Sequence, residues 1–465
     1  GIVLSVHRLI AAPMPHVFRD DDQLLDLDTA VAAIDELTWE KSDRRDLIGI
    51  EIEALPVLAH HGSPNRLPLH GPWGAAGLVE RYLPRLTPTD GSSVASPLVF
   101  TTPGGGRVTF EPGAQIELSS TAHSDAASLQ SEISDDWDTI RAIFSERGAH
   151  LVCLGVDPFH DVIEVPQQQR AGRYIAMDCF FSAGWPAGAV MMRNTCSLQV
   201  NLEVGTGPIR DERWLAANMI SPLLTAMFST SPANGVASKR ARIWQEIDGT
   251  RTGFPSWADA RQVSSTDDVL VRALRANVMF VVRGGNVQVT ELGWTFDEWI
   301  RYGHPEFGAP TYADLRTHLS TIFTEVRPRY GTLELRAIDS LPRRWWMVPI
   351  VVTGSILYDD QSRGQAIDLL SPTAGQLHRM WRTATDEGFR NPVLTELAEK
   401  LGQHALEGAR RSDLFDRHSI HVSEAFLDRF TMRGRAPADE LRPLLTCADD
   451  IFNWTLLEST EGDGS

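Results

Sequence analysis

Residues Thr195 to Gly205 read T-C-S-L-Q-V-N-L-E-V-G, and the alternation is strict. Thr195, Ser197, Gln199, Asn201 and Glu203 share one face of a strand, while Cys196, Leu198, Val200, Leu202 and Val204 share the other. The apolar face belongs against a core, with Cys196 pointing into it as a small buried side chain. The polar face meets either bulk water or a ligand.

Three other segments repeat the pattern. In G-I-E-I-E-A, Glu51 and Glu53 oppose Ile50, Ile52 and Ala54. In E-P-G-A-Q-I-E-L-S, Glu111, Gln115 and Glu117 oppose Ile116 and Leu118. In T-L-E-L-R-A, Thr332, Glu334 and Arg336 oppose Leu333 and Leu335. Any one such face reads first as a solvated antiparallel surface. Together they concentrate long carboxylates and amides where strands disfavour glutamate. Like charges on neighbouring strands repel, so such a cluster calls for counter-cations. Oxygen-only ligands suit Mg²⁺ or Mn²⁺ rather than zinc, and Mg²⁺ leaves coordination positions for phosphate oxygens. A sheet face bearing these glutamates therefore points to nucleotide chemistry.

The stretch S-K-R-A-R-I-W-Q-E-I-D-G-T-R-T-G-F gathers Arg240, Arg242 and Arg251 around Trp244 in what reads as a loop. Guanidinium groups grip carboxylate or phosphate through paired hydrogen bonds, and Arg336 beside Glu334 offers the same from the sheet. A solvated loop is the plain alternative in a chain whose 43 basic residues include only three lysines, Lys41, Lys239 and Lys400. P-G-G-G-R is a hairpin turn rather than a phosphate-binding loop, since no lysine follows. No G-x-S-x-G, H-E-x-x-H or strand-borne G-x-G-x-x-G occurs, and His60-His61 sits in a Pro/Gly-rich surface loop.

The composition bounds the rest. The chain has 465 residues, 42% hydrophobic and 22% charged, enough for a large core in an ordinary globular protein. A formal charge of −18 argues against nucleic acid and anionic membranes as partners. The four scattered cysteines and an N-terminus without a signal-peptide pattern make a cytoplasmic enzyme the expectation, with no membrane span. Trp345 to Leu357 is apolar but too short to cross a bilayer and reads as a buried helix. Element order is not a regular β-α alternation, so the expected class is α+β with a largely antiparallel sheet. Residues 1–360 would form the catalytic part, 361–460 a helical part packed on it, and 461–465 a disordered tail.

Taken in order, G-I-E-I-E-A-L-P-V, E-P-G-A-Q-I-E-L-S, M-M-R-N-T-C-S-L-Q-V-N-L-E-V-G, S-P-L-L-T-A-M-F-S-T-S-P-A-N-G, R-A-R-I-W-Q-E-I-D-G-T-R-T-G and T-L-E-L-R-A-I-D-S-L-P-R-R-W-W-M-V-P resemble the type 2 glutamate–cysteine ligases of plants and actinobacteria. The resemblance runs from about Gly49 to Asp359, and the arginine bias resembles the actinobacterial branch that serves ergothioneine synthesis. It implies a glutamine-synthetase-superfamily fold: a curved, mainly antiparallel sheet forming a funnel-like active site, with helices outside. The implied substrates are ATP, L-glutamate and L-cysteine, and the implied metal is Mg²⁺ or Mn²⁺.

Carried onto this chain, the resemblance implies Glu51, Glu53, Glu111, Glu117 and Glu334 as metal ligands, with Glu51, Gln115 and Arg336 serving ATP. It makes Arg336 and Arg251 the catalytic cations and Arg240, Trp244, Gln199 and Asn201 the substrate-binding set. Plant-like members have a histidine where Arg242 stands, so no role is carried over to it; Glu203 would help shape the funnel. A monomer is the expected state. A ligase of the same fold using another acceptor amine fits the same residues. So does an inactive amino-acid-binding homologue, although every expected carboxylate is present. A guanidino phosphotransferase is more remote.

Overall fold

The structure, a computed structural model, describes residues 20–39, 46–58, 64–86, 98–290 and 293–460. The strands are β1 Ile48–Leu58, β2 Asn65–Arg66, β3 Phe100–Thr101, β4 Arg107–Phe110, β5 Ile116–Ser119 and β6 Ala149–Val152. They continue with β7 Ser197–Glu203, β8 Phe280–Arg283, β9 Asn286–Val289, β10 Val326–Arg329 and β11 Thr332–Asp339. Nine of them make one sheet in the order β10-β11-β7-β1-β5-β4-β3, with β2 and β6 pairing the far half of β1. Every pairing within it is antiparallel. Strands β8 and β9 form a separate hairpin. This is the α+β class that the strand patterns imply.

The quoted strand is β7, and it lies between β1 and β11. On its apolar side Leu198, Val200 and Leu202 are fully buried with Ile50, Ile52, Leu333 and Leu335. The helices Pro208–Met227 and Met347–Tyr358 cover that side, and the second is buried from Met347 to Leu357, as its uniformly apolar sequence requires. The polar side is no solvent face either: Gln199 is 3% and Asn201 2% exposed. Cys196 points away from that side, into a small second core with Leu55, Val57, Val152 and Leu154.

The main hydrophobic cluster crosses residue 360 without a break, running from Leu25 through Leu370, Leu394 and Phe430. The C-terminal helices Leu377–Asp386, Pro392–Arg411 and Arg417–Arg429 thus share their packing with the sheet-bearing part. The expected tail at 461–465 and the His60-His61 loop lie outside the described residues.

One local expectation fails. Lys239–Glu246 is an α-helix, not a loop. Ser238 caps it by accepting from the Ala241 N–H, and Ala241, Ile243 and Trp244 bury one side.

Candidate active site

Register gathers the polar residues into a continuous patch. Glu51 stands opposite Gln199 on one side and Ser119 on the other. Glu53 stands opposite Glu117, which in turn faces Thr109. Glu334 stands opposite Asn201 and Arg327. The β11–β7 register shifts between Leu335 and Ile338, an irregularity that falls at Arg336 and re-aims the strand beside the patch. Above it opens a cavity of about 1080 Å³ whose wall includes Glu51, Glu53, Glu117, Gln199, Arg240 and Arg336.

One side of this cavity is acidic. Burial raises Glu51 well above the usual carboxylate range, and the charges of Glu117 and Glu334 push in the same direction. Burial, then Glu111 and Glu53, lift Glu117 to about 8; burial, then Glu53, lift Glu111 to about 7. Local donors answer only part of this charge. Thr109 Oγ1 donates to Glu117 at 2.7 Å, and the Ser197 N–H and hydroxyl donate to Glu53 at 2.6 and 2.9 Å. Gln199 Nε2 reaches Glu53 at 3.3 Å, and Asn201 Nδ2 reaches Glu51 at 3.5 Å. Among the described residues no three His, Cys, Asp or Glu side chains stand ready-made around a metal position. The donor set is nonetheless the right one for a hard divalent cation: oxygen only, crowded, and under-neutralised.

The other side is basic and largely self-paired. Arg336 donates to Glu334 and, at 3.0 Å, to Gln199 Oε1. Arg327 donates to the second oxygen of Glu334 at 2.7 Å. Burial works against the Arg336 cation, but Glu334 outweighs it and holds the group more basic than usual; burial brings Arg327 down to about 10. The helix Lys239–Glu246 adds Arg240, whose Nη2 donates to the Arg336 carbonyl at 3.0 Å and whose Nη1 lies 3.8 Å from Asp339. Trp244 from the same helix lies under both cations, with ring-centre distances of 5.9 Å to Arg240 and 5.4 Å to Arg336.

Several expected residues are placed differently. Arg251 is fully buried and stands outside the cavity wall. Its guanidinium donates to Asp248 at 2.9 Å, to the Thr321 carbonyl and hydroxyl at 2.6 and 3.0 Å, and to the Asn277 carbonyl at 2.6 Å. These bonds tie three loops together, so the catalytic role expected of Arg251 gives way to an architectural one. Gln115 lines the cavity, but its amide accepts from the Gly113 N–H and donates to the Thr195 and Met192 carbonyls, leaving it to hold a turn rather than ATP. Asn201 and Glu334 sit one layer below the wall, behind Glu51 and the arginines. Glu203 ends β7, where its carboxylate accepts from the Leu47 N–H at 3.3 Å. Arg242 bonds Asp386 across to the C-terminal helices.

Sequence reasoning missed Arg327. It lies in V-R-P-R, where the proline reads against a strand; β10 is an edge strand, where a proline is tolerated. It also missed Arg173, which lines the cavity from the helix Gly172–Phe181.

Comparison with known proteins gives the arrangement a context. The sequence is 32% identical over 417 residues to the glutamate–cysteine ligase EgtA of Mycolicibacterium smegmatis, covering 86% of this chain and 94% of that protein. It is 28% identical over 348 residues to the chloroplastic glutamate–cysteine ligase of Arabidopsis thaliana, covering 72% of this chain and 65% of that one. The crystal structure of the Francisella tularensis glutamate–cysteine ligase in complex with AMP superposes with a TM-score of 0.52 at 12% identity, covering 91% of this chain and 89% of that one, which shows a shared fold. The family described as glutamate–cysteine ligase family 2 matches residues 47–443, beyond the Asp359 limit of the motif resemblance and across the shared core. The chain belongs to glutamate–cysteine ligase family 2.

Proposed function

We propose that this chain is an ATP-dependent ligase that joins the γ-carboxylate of L-glutamate to the amine of L-cysteine, giving γ-glutamylcysteine for ergothioneine biosynthesis. It works in the cytoplasm as a monomer. The observation that carries this reading is the register that sets Glu51, Glu53 and Glu117 beside Arg327 and Arg336 around one cavity, with Glu334 behind the two arginines.

A carboxylate is a poor electrophile. In the first step the glutamate γ-carboxylate oxygen attacks the γ-phosphorus of ATP, and the bond from phosphorus to the ADP oxygen breaks. In the second the cysteine amine attacks the acyl carbon of γ-glutamyl phosphate. The carbon–oxygen bond breaks, inorganic phosphate leaves, and the amine gives up its proton. Both steps move negative charge among oxygens, so the protein's work is positioning and neutralisation. A divalent cation, Mg²⁺ or Mn²⁺, held by Glu51, Glu53 and Glu117 would supply charge neutralisation at the polyphosphate, while Glu334, with both oxygens taken by Arg336 and Arg327, holds those cations in place. Arg336, held by its bonds to Glu334 and Gln199, would stabilise the transferring phosphoryl group. Arg240 stands beside it on the face of Trp244.

Hydroxylamine supplied in place of cysteine tests the activated-acyl step. The expected product is γ-glutamyl hydroxamate, formed only with ATP, glutamate and a divalent metal. ATP turnover without hydroxamate would refute the acyl phosphate. Full activity with an amine other than cysteine, and none with cysteine, would reassign the acceptor.

A further inference from the structure

The middle of β7 places one neutral side chain between the two walls. The Gln199 amide is buried, with a cation on one side of it and an anion on the other. Its Oε1 accepts from Arg336 Nη1 at 3.0 Å. Its Nε2 donates to Glu53 Oε1 at 3.3 Å and to Ser197 Oγ at 3.0 Å. Only one orientation suits these partners, with the oxygen toward the guanidinium and the nitrogen toward the carboxylate. Both N–H donors are then taken inside the protein, which leaves little of the amide for the substrate contact that the family resemblance implies. The Ser197 N–H and hydroxyl hold Glu53 from the same strand at 2.6 and 2.9 Å.

Arg336 and Glu53 are bonded to opposite ends of one amide, so only its width keeps them apart, and the ion pair that Arg336 makes is with Glu334 instead. Opposite charges withdrawn from water attract strongly. A direct Arg336–Glu53 pair would occupy one of the carboxylates meant for a cation and the guanidinium meant for the phosphoryl group. We propose that Gln199 is a spacer that prevents this pair from closing. It is a positioning residue, acting through the two charged groups it separates and not on the amino-acid substrates. The inference rests on the reading of Glu53 as a ligand for the divalent cation.

Mn²⁺ binding to the purified full chain without substrates, followed by loss of the free-ion EPR signal, reads the spacer apart from turnover. Gln199→Met keeps the length of the side chain without its polar atoms, and should weaken Mn²⁺ binding by about tenfold or more as Arg336 closes on Glu53. Gln199→Glu keeps an acceptor for Arg336 and should bind Mn²⁺ at least as tightly as wild type; it carries the test alone should the methionine variant not fold. Adding Gln199→Met to Arg336→Gln, where no guanidinium remains to close, should cost no further Mn²⁺ affinity. In turnover, Gln199→Met should lower kcat by about tenfold or more with KM for glutamate and cysteine within about twofold. Wild-type Mn²⁺ affinity in Gln199→Met would overturn the spacer. So would weakened binding in Gln199→Glu, an equal loss with and without Arg336, or a raised KM for either amino acid with Mn²⁺ binding intact. A wild type that binds no Mn²⁺ would sink the cation site and the spacer with it, whereas normal binding unmoved by Gln199→Met would sink only the spacer.

Discussion

The two walls of the cavity are built on opposite principles. On the acidic wall, Glu51, Glu53 and Glu117 crowd the middle of the sheet, and burial with mutual repulsion raises Glu51 and Glu117. On the basic wall, Arg327 and Arg336 share Glu334, and Arg240 leans on Asp339 and Trp244. On the basic wall the arginines pair with carboxylates of the protein, whereas on the acidic wall burial outweighs the attraction of nearby arginines and leaves the carboxyls raised. Neutralising a residue should therefore change stability with opposite signs on the two walls while abolishing activity on both.

The largest effect is expected on the basic wall. Arg336→Gln removes the donor proposed to stabilise the phosphoryl group and leaves half of the buried Glu334 uncompensated. Turnover should fall by about 10³-fold or more, with a loss of about 3 kcal/mol in denaturant unfolding. Near-normal stability in that variant would mean that the pair contributes nothing to the fold. Glu117→Gln should lower kcat/KM by about 10²–10³-fold, yet raise Tm of the metal-free protein at alkaline pH by relieving repulsion. A lower Tm in Glu117→Gln would erase the contrast between the walls.

The pH dependence sharpens the same point at smaller amplitude. Glu117 is raised to about 8 and Glu111 to about 7, against an ordinary 4.5. A carboxyl raised by folding favours the folded state fully below its unfolded pKa, and that contribution is lost as pH climbs through the folded value. Metal-free Tm should thus fall as pH climbs from about 4.5 to about 8, and Mg²⁺ should flatten the decline. The same slope with and without Mg²⁺ would show that the cation binds elsewhere. The smallest effect belongs to Arg242→Ala. Arg242 pairs with Asp386 and Glu246, and all three side chains are substantially exposed. Such pairs contribute about 0.2–1 kcal/mol, so kcat/KM should change by less than about fivefold. A larger loss would make this contact with the C-terminal helices part of how Arg240 and Trp244 are held.

The walls also differ in how far they could be read from the chain. The acidic wall was legible because a strand repeats every second residue, so parity alone assigned Glu51, Glu53, Glu117 and Gln199 to one face. The family motifs then supplied what parity could not, namely that four such faces belong to one sheet. The basic wall was harder. Its helix Lys239–Glu246 is short and polar, with Ser238 as the one local sign of a start. Arg327 was hidden behind an edge-strand proline, and Arg173 sits in a helix that shows no motif. Arg251 carries the same side chain as its neighbours in the motif and is distinguished only by tertiary packing, which hands its guanidinium to Asp248, Thr321 and Asn277. Composition rich in arginine makes each one a weak signal, and only the fold sorts those facing the ligand from those that staple loops.

The central claim is that the polar sheet face activates a carboxylate with ATP for attack by an amine. Its most direct test is ADP release by the wild-type protein with ATP, Mg²⁺ and L-glutamate, measured with and without L-cysteine alongside the product. The account predicts that ADP release depends on glutamate and Mg²⁺, rises sharply on adding cysteine, and yields γ-glutamylcysteine in equal amount. ADP release that ignores glutamate, or that proceeds without forming a γ-glutamyl amide, would contradict it.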